Sequence, residues 1–114
     1  MRRKKEHRIY GMFVGRFQPF HEGHKKVVEK ILKREKYILI AVLDTEISEK
    51  NPYTFRQRKM RIMRALKKWG GRVKIIKIPQ IYGFYYGRNV GLKIQRIRLD
   101  ATTERITATR IRDL

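Results

Sequence analysis

Two uninterrupted apolar runs lie either side of one helix-patterned segment, and that arrangement restricts the chain more than any other feature. Ile9 to Val14 is β-rich and ends at Gly15; Tyr37 to Leu43 is continuously apolar. Between them, from Gly23 to Lys36, Val27, Val28, Ile31 and Leu32 recur at helical spacing among Lys and Glu. A strand that is apolar throughout suits a parallel sheet covered on both faces. Strand, helix and strand in this order predict a βαβ unit with a right-handed crossover. Ligands of such sheets bind beyond the carboxyl ends of the strands, so the loop leaving the first strand is where chemistry is expected.

The middle of the chain extends the pattern. Asp44 to Asn51 is polar, Asn51-Pro52 is a turn dipeptide, and Thr54 is placed to cap a helix running from Phe55 to Trp69. Ile62, Met63, Leu66 and Trp69 share one face of it, and Gly70-Gly71 ends it. Val73 to Ile78 reads as a third strand stopped by Pro79. Tyr82 to Gly91 fits a loop or a short strand with a turn, Ile94 to Leu99 is read as a strand, and a last helix is expected near Thr107 to Thr109. The fold class expected is α/β: a small Rossmann-like, doubly wound parallel sheet. With 114 residues there is room for one such domain, 1–114, with 1–8 as a basic leader.

Charge decides the class of partner. Thirty Lys and Arg stand against ten Asp and Glu, a formal charge of +20. Such a surface attracts polyanions at long range, without separating a nucleotide site from a secondary affinity for nucleic acid, and charge runs are also ordinary solvated surface. No cysteine is present, which excludes disulfides, thiol nucleophiles and thiolate metal sites. No apolar run is long enough for a membrane span and the start lacks a signal-peptide pattern, so a cytoplasmic protein with no membrane partner is expected. So short a chain with a truncated last helix is also expected to complete its core as a homo-oligomer.

The loop itself reads Gly15-Arg16-Phe17-Gln18-Pro19-Phe20-His21-Glu22-Gly23-His24. Gly15 and Gly23 allow close approach to the backbone, and a helix N-terminus favours anions. His21 and His24, three apart at the start of the helix, can face one bound group together, and Arg16 offers a planar fork of donors to phosphate. Alone, the same pair is equally ordinary polar surface or half of a metal site; a metal site lacks further ligands, since the one other histidine is His7. Near the end, Thr107, Thr109, Arg110 and Arg112 at a helix start can cradle phosphates, or simply cap a basic surface helix.

These residues resemble a known family. Gly-Arg-Phe-Gln-Pro-Phe-His-Glu-Gly-His is similar to the signature of the HxGH nucleotidyltransferase superfamily, in the form found in archaeal-type nicotinamide-nucleotide adenylyltransferases. Asn51-Pro52-Tyr53-Thr54-Phe55-Arg56-Gln57-Arg58 resembles that family's NPFTxxER stretch, and Ile106 to Arg112 its ISxTxIR motif. The resemblance implies an enzyme of NAD biosynthesis that transfers AMP from ATP to a small phosphorylated acceptor, nicotinamide mononucleotide-like, and releases pyrophosphate. It implies His21, His24 and Arg112 as catalytic residues; Gly15, Arg16, Phe17, His21, Gly23, His24, Thr107, Thr109 and Arg112 as nucleotide-binding; and Arg58 as substrate-binding. Mg²⁺ is expected to arrive with the triphosphate, with no metal site committed on the protein. The chain departs from the family between its third strand and final motif, where the acceptor pocket is shortened; Tyr82, Phe84, Tyr85, Tyr86 or Trp69 can stack a base there, or serve as core. A cytidylyltransferase acting on a phosphorylated alcohol is the alternative within the superfamily. From another class, a basic module that binds nucleic acid is the alternative.

Overall fold

A computed structural model describes residues 7–88 and 91–99. In it, β1 (Tyr10–Gly15), α1 (Glu22–Arg34), β2 (Tyr37–Leu43), α2 (Phe55–Ala65) and β3 (Val73–Ile78) follow in sequence, with a 3₁₀ turn at Lys67–Arg72 before β3. The strands form one parallel sheet in the order β1-β2-β3. Tyr10 to Gly15 pair with Tyr37 to Val42, and Ile38 to Leu43 with Val73 to Ile78.

Alternation along β2 explains where the helices sit. Ile38, Ile40 and Val42 point to one face and are completely buried in a cluster with Val28 and Leu32 of α1, Ile62 and Leu66 of α2, and Phe17 and Phe20. Both helices therefore cover the same face of the sheet, as two right-handed crossovers stepping in one direction require. The architecture is the βαβαβ half of a Rossmann-like sheet. It brings the loops after β1, β2 and β3 to one edge.

Each helix starts on side-chain caps. Thr54 accepts from the Gln57 N–H at 3.1 Å while Gln57 Oε1 accepts from the Thr54 N–H at 2.8 Å, a reciprocal box that fixes the start of α2. The far end of α1 is closed from outside: Arg72 donates to the carbonyls of Leu32, Glu35 and Lys36 at 2.7, 3.1 and 2.8 Å. A guanidinium there satisfies carbonyls left over at a helix C-terminus and meets the negative end of its dipole.

Two expected boundaries differ. The second helix stops at Ala65 rather than Trp69, because the chain tightens into the 3₁₀ turn, where the Trp69 N–H reaches the Leu66 carbonyl at 2.9 Å. Ile94 to Leu99 is not a strand. It runs without regular structure beside α1, whose Lys30 Nζ donates to the Arg98 carbonyl at 2.7 Å and whose Arg34 donates to Gln95 Oε1 at 2.9 Å. Tyr82 to Arg88 likewise has no strand. The helix expected near Thr107 to Thr109 lies outside the described residues.

Candidate active site

The loop after β1 turns back into the core before it reaches α1. Phe17 adopts φ 51°, which directs its ring under the strand it has just left. A Cβ on Gly15 would stand 2.9 Å from that ring, so the glycine makes room for Phe17. The Phe17 side chain is 2% exposed and packs edge-on to Phe13 at 5.2 Å and tilted to Phe20 at 5.6 Å. The Phe17 ring thus builds the floor of the site.

His24 sits on that floor. Its ring stacks on Phe20 at 5.3 Å, meets Phe17 edge-on at 5.0 Å, and stacks on His21 at 3.8 Å. His21 is the N-cap of α1, and its Nδ1 accepts from the Gly23 N–H at 3.0 Å. The Nδ1 of His24 accepts in turn from the His21 N–H at 3.1 Å. A neutral imidazole with Nδ1 accepting carries its proton on Nε2. Both rings are therefore held as neutral Nε2–H donors by the backbone they cap. Burial, and then the charge of His21, push His24 down to about 3; burial, and then the nearby Arg61 guanidinium, lower His21. The pair can donate hydrogen bonds at neutral pH without first losing a proton. It stands at a helix N-terminus, where anions are favoured.

Arg58 is not at the surface. Although it lies on the first turns of α2, it is 2% exposed, and its guanidinium donates to the carbonyls of Arg16 and Leu43 at 2.8 Å each and of Thr54 at 3.3 Å. Three of its five N–H donors are thus spent on the ends of β1 and β2 and the start of α2. Where the motif resemblance implies a substrate contact, the bonds that Arg58 makes here fix the loops around the site. Burial lowers its pKa, against an opposing pull from Asp44. Gln18, which drew no attention in the sequence, does similar work. Buried, it donates to Thr45 Oγ1 and the Tyr53 carbonyl and accepts from the Tyr53 N–H, each at 2.9 Å. A polar residue set between Phe17 and Pro19 in so apolar a loop was its one signal.

Arg61 was also missed. One turn beyond Arg58 and exposed, it donates from Nε to the Phe20 carbonyl at 2.7 Å, immediately before His21, and its charge is felt by that imidazole. Arg16 is exposed at the mouth of the same loop. Gly23 is buried in the first turn of α1. Thr107, Thr109 and Arg112 lie outside the described residues.

Beside the loop, across the ends of β2 and β3, is an open polar cavity of about 600 Å³. Asp44, Thr45 and Glu46 line it from one side and Pro79 and Gln80 from the other, with Ser48 and Asn51 between. The histidines do not line it. It joins their loop through the Gln18–Thr45 bond. Among the described residues no three His, Cys, Asp or Glu side chains converge as metal ligands, and no helix is long and apolar enough to cross a membrane.

Comparison with known proteins places this geometry. Residues 12–83 match the family model described as cytidylyltransferase-like. Relatives include proteins named nicotinamide-nucleotide adenylyltransferase from Thermoplasma acidophilum, 39% identical over 75% of this chain and 42% of the relative, and from Thermococcus sibiricus, 36% identical over 62% and 41%. The chain thus spans about two fifths of the length of these relatives. A solved structure from Francisella tularensis, a bifunctional NMN adenylyltransferase/ADP ribose pyrophosphatase complexed with AMP and a manganese ion, superposes with a TM-score of 0.56 at 33% identity, over 63% of this chain and 23% of that one.

Proposed function

This chain belongs to the cytidylyltransferase-like family, and from that premise we propose that it transfers AMP from ATP to a small phosphorylated acceptor of the nicotinamide mononucleotide kind. The observation that carries the reading is the pair of neutral imidazoles, His21 and His24, each locked through Nδ1 and offering Nε2–H at the N-terminus of α1. Donors fixed before the substrate arrives need no reorganisation as charge grows on it, which is the basis of electrostatic catalysis. In the reaction proposed, a phosphate oxygen of the acceptor attacks the α-phosphorus of ATP, the bond from that phosphorus to the bridging oxygen breaks, and pyrophosphate leaves with the electron pair. His21 and His24 donate to the α-phosphate oxygens. Arg61 and Arg16 add permanent charge at the loop. Thr107, Thr109 and Arg112 are proposed for the β- and γ-phosphates on the strength of the motif resemblance.

The polar cavity at the ends of β2 and β3 is assigned to the acceptor, since it adjoins the loop and lies in the usual size range for small-molecule sites. A divalent cation fits this donor set only as a companion of the triphosphate, with few protein ligands, and Mg²⁺ is the ion proposed. It would neutralise phosphate charge there.

Pyrophosphate release, measured with ATP and a panel of phosphorylated acceptors led by nicotinamide mononucleotide, tests the reading. Turnover with that acceptor, lost in His24→Ala, is expected; unchanged turnover in His24→Ala would show that the site is misassigned. The family's description also makes CTP the natural competitor, and a thermal shift larger with CTP than with ATP would move the assignment to cytidylyl transfer.

A further inference from the structure

The site and the backbone clamps leave most of the positive charge unexplained, and its distribution is uneven. Between Glu49 and Asp100 there is no acidic residue, while fifteen Lys and Arg occur. Of these, Arg58 and Arg72 are committed to carbonyls inside the fold. Arg56, Lys59 and Arg64 are exposed on α2, Lys67 and Lys68 follow on the turn, and Lys74 and Lys77 are exposed on β3. Lys77 reaches over the Phe55 ring at 5.9 Å and so adjoins the α2 cations, whereas Lys74, three positions earlier on the strand, faces the other side of the sheet.

Immediately beyond β3 the chain exposes an aromatic run. Tyr82 and Tyr85 are almost wholly exposed, Tyr86 is 71% and Phe84 59% exposed. Four aromatic residues within five positions, none folded into the core, leave a large favourable burial unrealised in the free chain. Nor is the run a loose end. β3 holds it on one side; on the other, past residues 89–90, the chain is tied to α1 through Lys30 and Arg34.

We propose that this aromatic run and the basic surface of α2 and β3 together bind single-stranded nucleic acid. Exposed rings supply faces on which unpaired bases stack, while flanking Lys and Arg track phosphates, the combination that sequence-tolerant single-strand binders use. A duplex hides its base faces and would engage only the charges. A membrane surface fits less well: residues 80–88 have no helix or strand, so inserting their rings into lipid would carry unsatisfied backbone N–H and C=O groups with them. The inference does not depend on the chemistry proposed at the histidine site.

The test is fluorescence anisotropy of the full chain with labelled single strands of about 15 nucleotides, the matching duplex, polyglutamate, and vesicles containing anionic lipid. Expected are single-strand affinity at least about tenfold above duplex and a further loss of about tenfold or more in Tyr82→Ala/Tyr85→Ala, with the thermal midpoint unchanged. Arg56→Gln/Lys59→Gln should flatten the salt dependence while leaving the preference for single strands. Equal binding of strand and duplex, full affinity in the tyrosine variant, or tighter binding to polyglutamate or vesicles would each overturn the proposal. So would a tyrosine variant that loses self-association and keeps single-strand affinity.

Discussion

Replacing Arg58 tests whether it is a clamp or a substrate contact. In Arg58→Ala, the Arg16 and Leu43 carbonyls lose charged donors at 2.8 Å, whereas Thr54 keeps one partner because the residue-58 backbone N–H still reaches its carbonyl at 3.0 Å. Breaking these two buried bonds to a charged donor costs about 3–5 kcal/mol. For a domain of this size that lowers the thermal midpoint by roughly 12–25 °C. Arg58→Lys keeps a charge but cannot fork between two carbonyls, so it should fall between the parent and the alanine variant. Circular dichroism melts and urea unfolding of the three proteins supply the numbers. The reasoning is refuted if Arg58→Ala melts within about 3 °C of the parent while losing affinity for a phosphorylated ligand, because the guanidinium would then be free to reach it.

Gly15→Ala places a Cβ 2.9 Å from the Phe17 ring, and overpacking of that kind costs about 1–3 kcal/mol, readable as a lowered urea midpoint. Thr54→Ala removes the cap of α2 and should cost about 1 kcal/mol by the same assay, with Thr54→Ser close to the parent. His24 makes stability depend on acid. Folded, it stays neutral down to about 3, whereas in the unfolded chain it takes up a proton near 6.5. The unfolded state therefore binds more protons between these values, so the contribution is complete above 6.5 and is lost as pH falls toward 3. Urea unfolding across that window should show a slope that His24→Asn reduces; an identical slope in the variant would mean that other groups carry it.

How far the sequence could be read follows from which interactions leave a local pattern. The strands and both helix starts were legible because apolar periodicity and caps such as Thr54 act within a few residues. The end of α2 was not, since Gly70-Gly71 closes the 3₁₀ turn rather than the helix, and Lys67 and Lys68 suit either. The apolar residues from Ile94 to Leu99 suggested a strand, yet only Ile97 and Leu99 are partly buried and the backbone is held to α1 instead. At the site, the histidine pair was legible from its spacing. Arg58 and Gln18 were not legible in role: most of their partners are backbone groups 15 to 42 residues away, which have no side-chain signature. A motif match placed Arg58 at the right edge of the sheet without showing its backbone partners.

The central claim is that His21 and His24 are held as neutral Nε2–H donors for a nucleotide phosphate. Nitrogen-15 NMR of the imidazoles, with and without ATP and Mg²⁺ near neutral pH, tests it most directly. In both rings Nδ1 is expected to be the unprotonated nitrogen before and after addition, while the Nε2–H resonances move on binding. Protonated Nδ1 in the free protein, or Nε2–H resonances that stay fixed at saturating ATP, would contradict it.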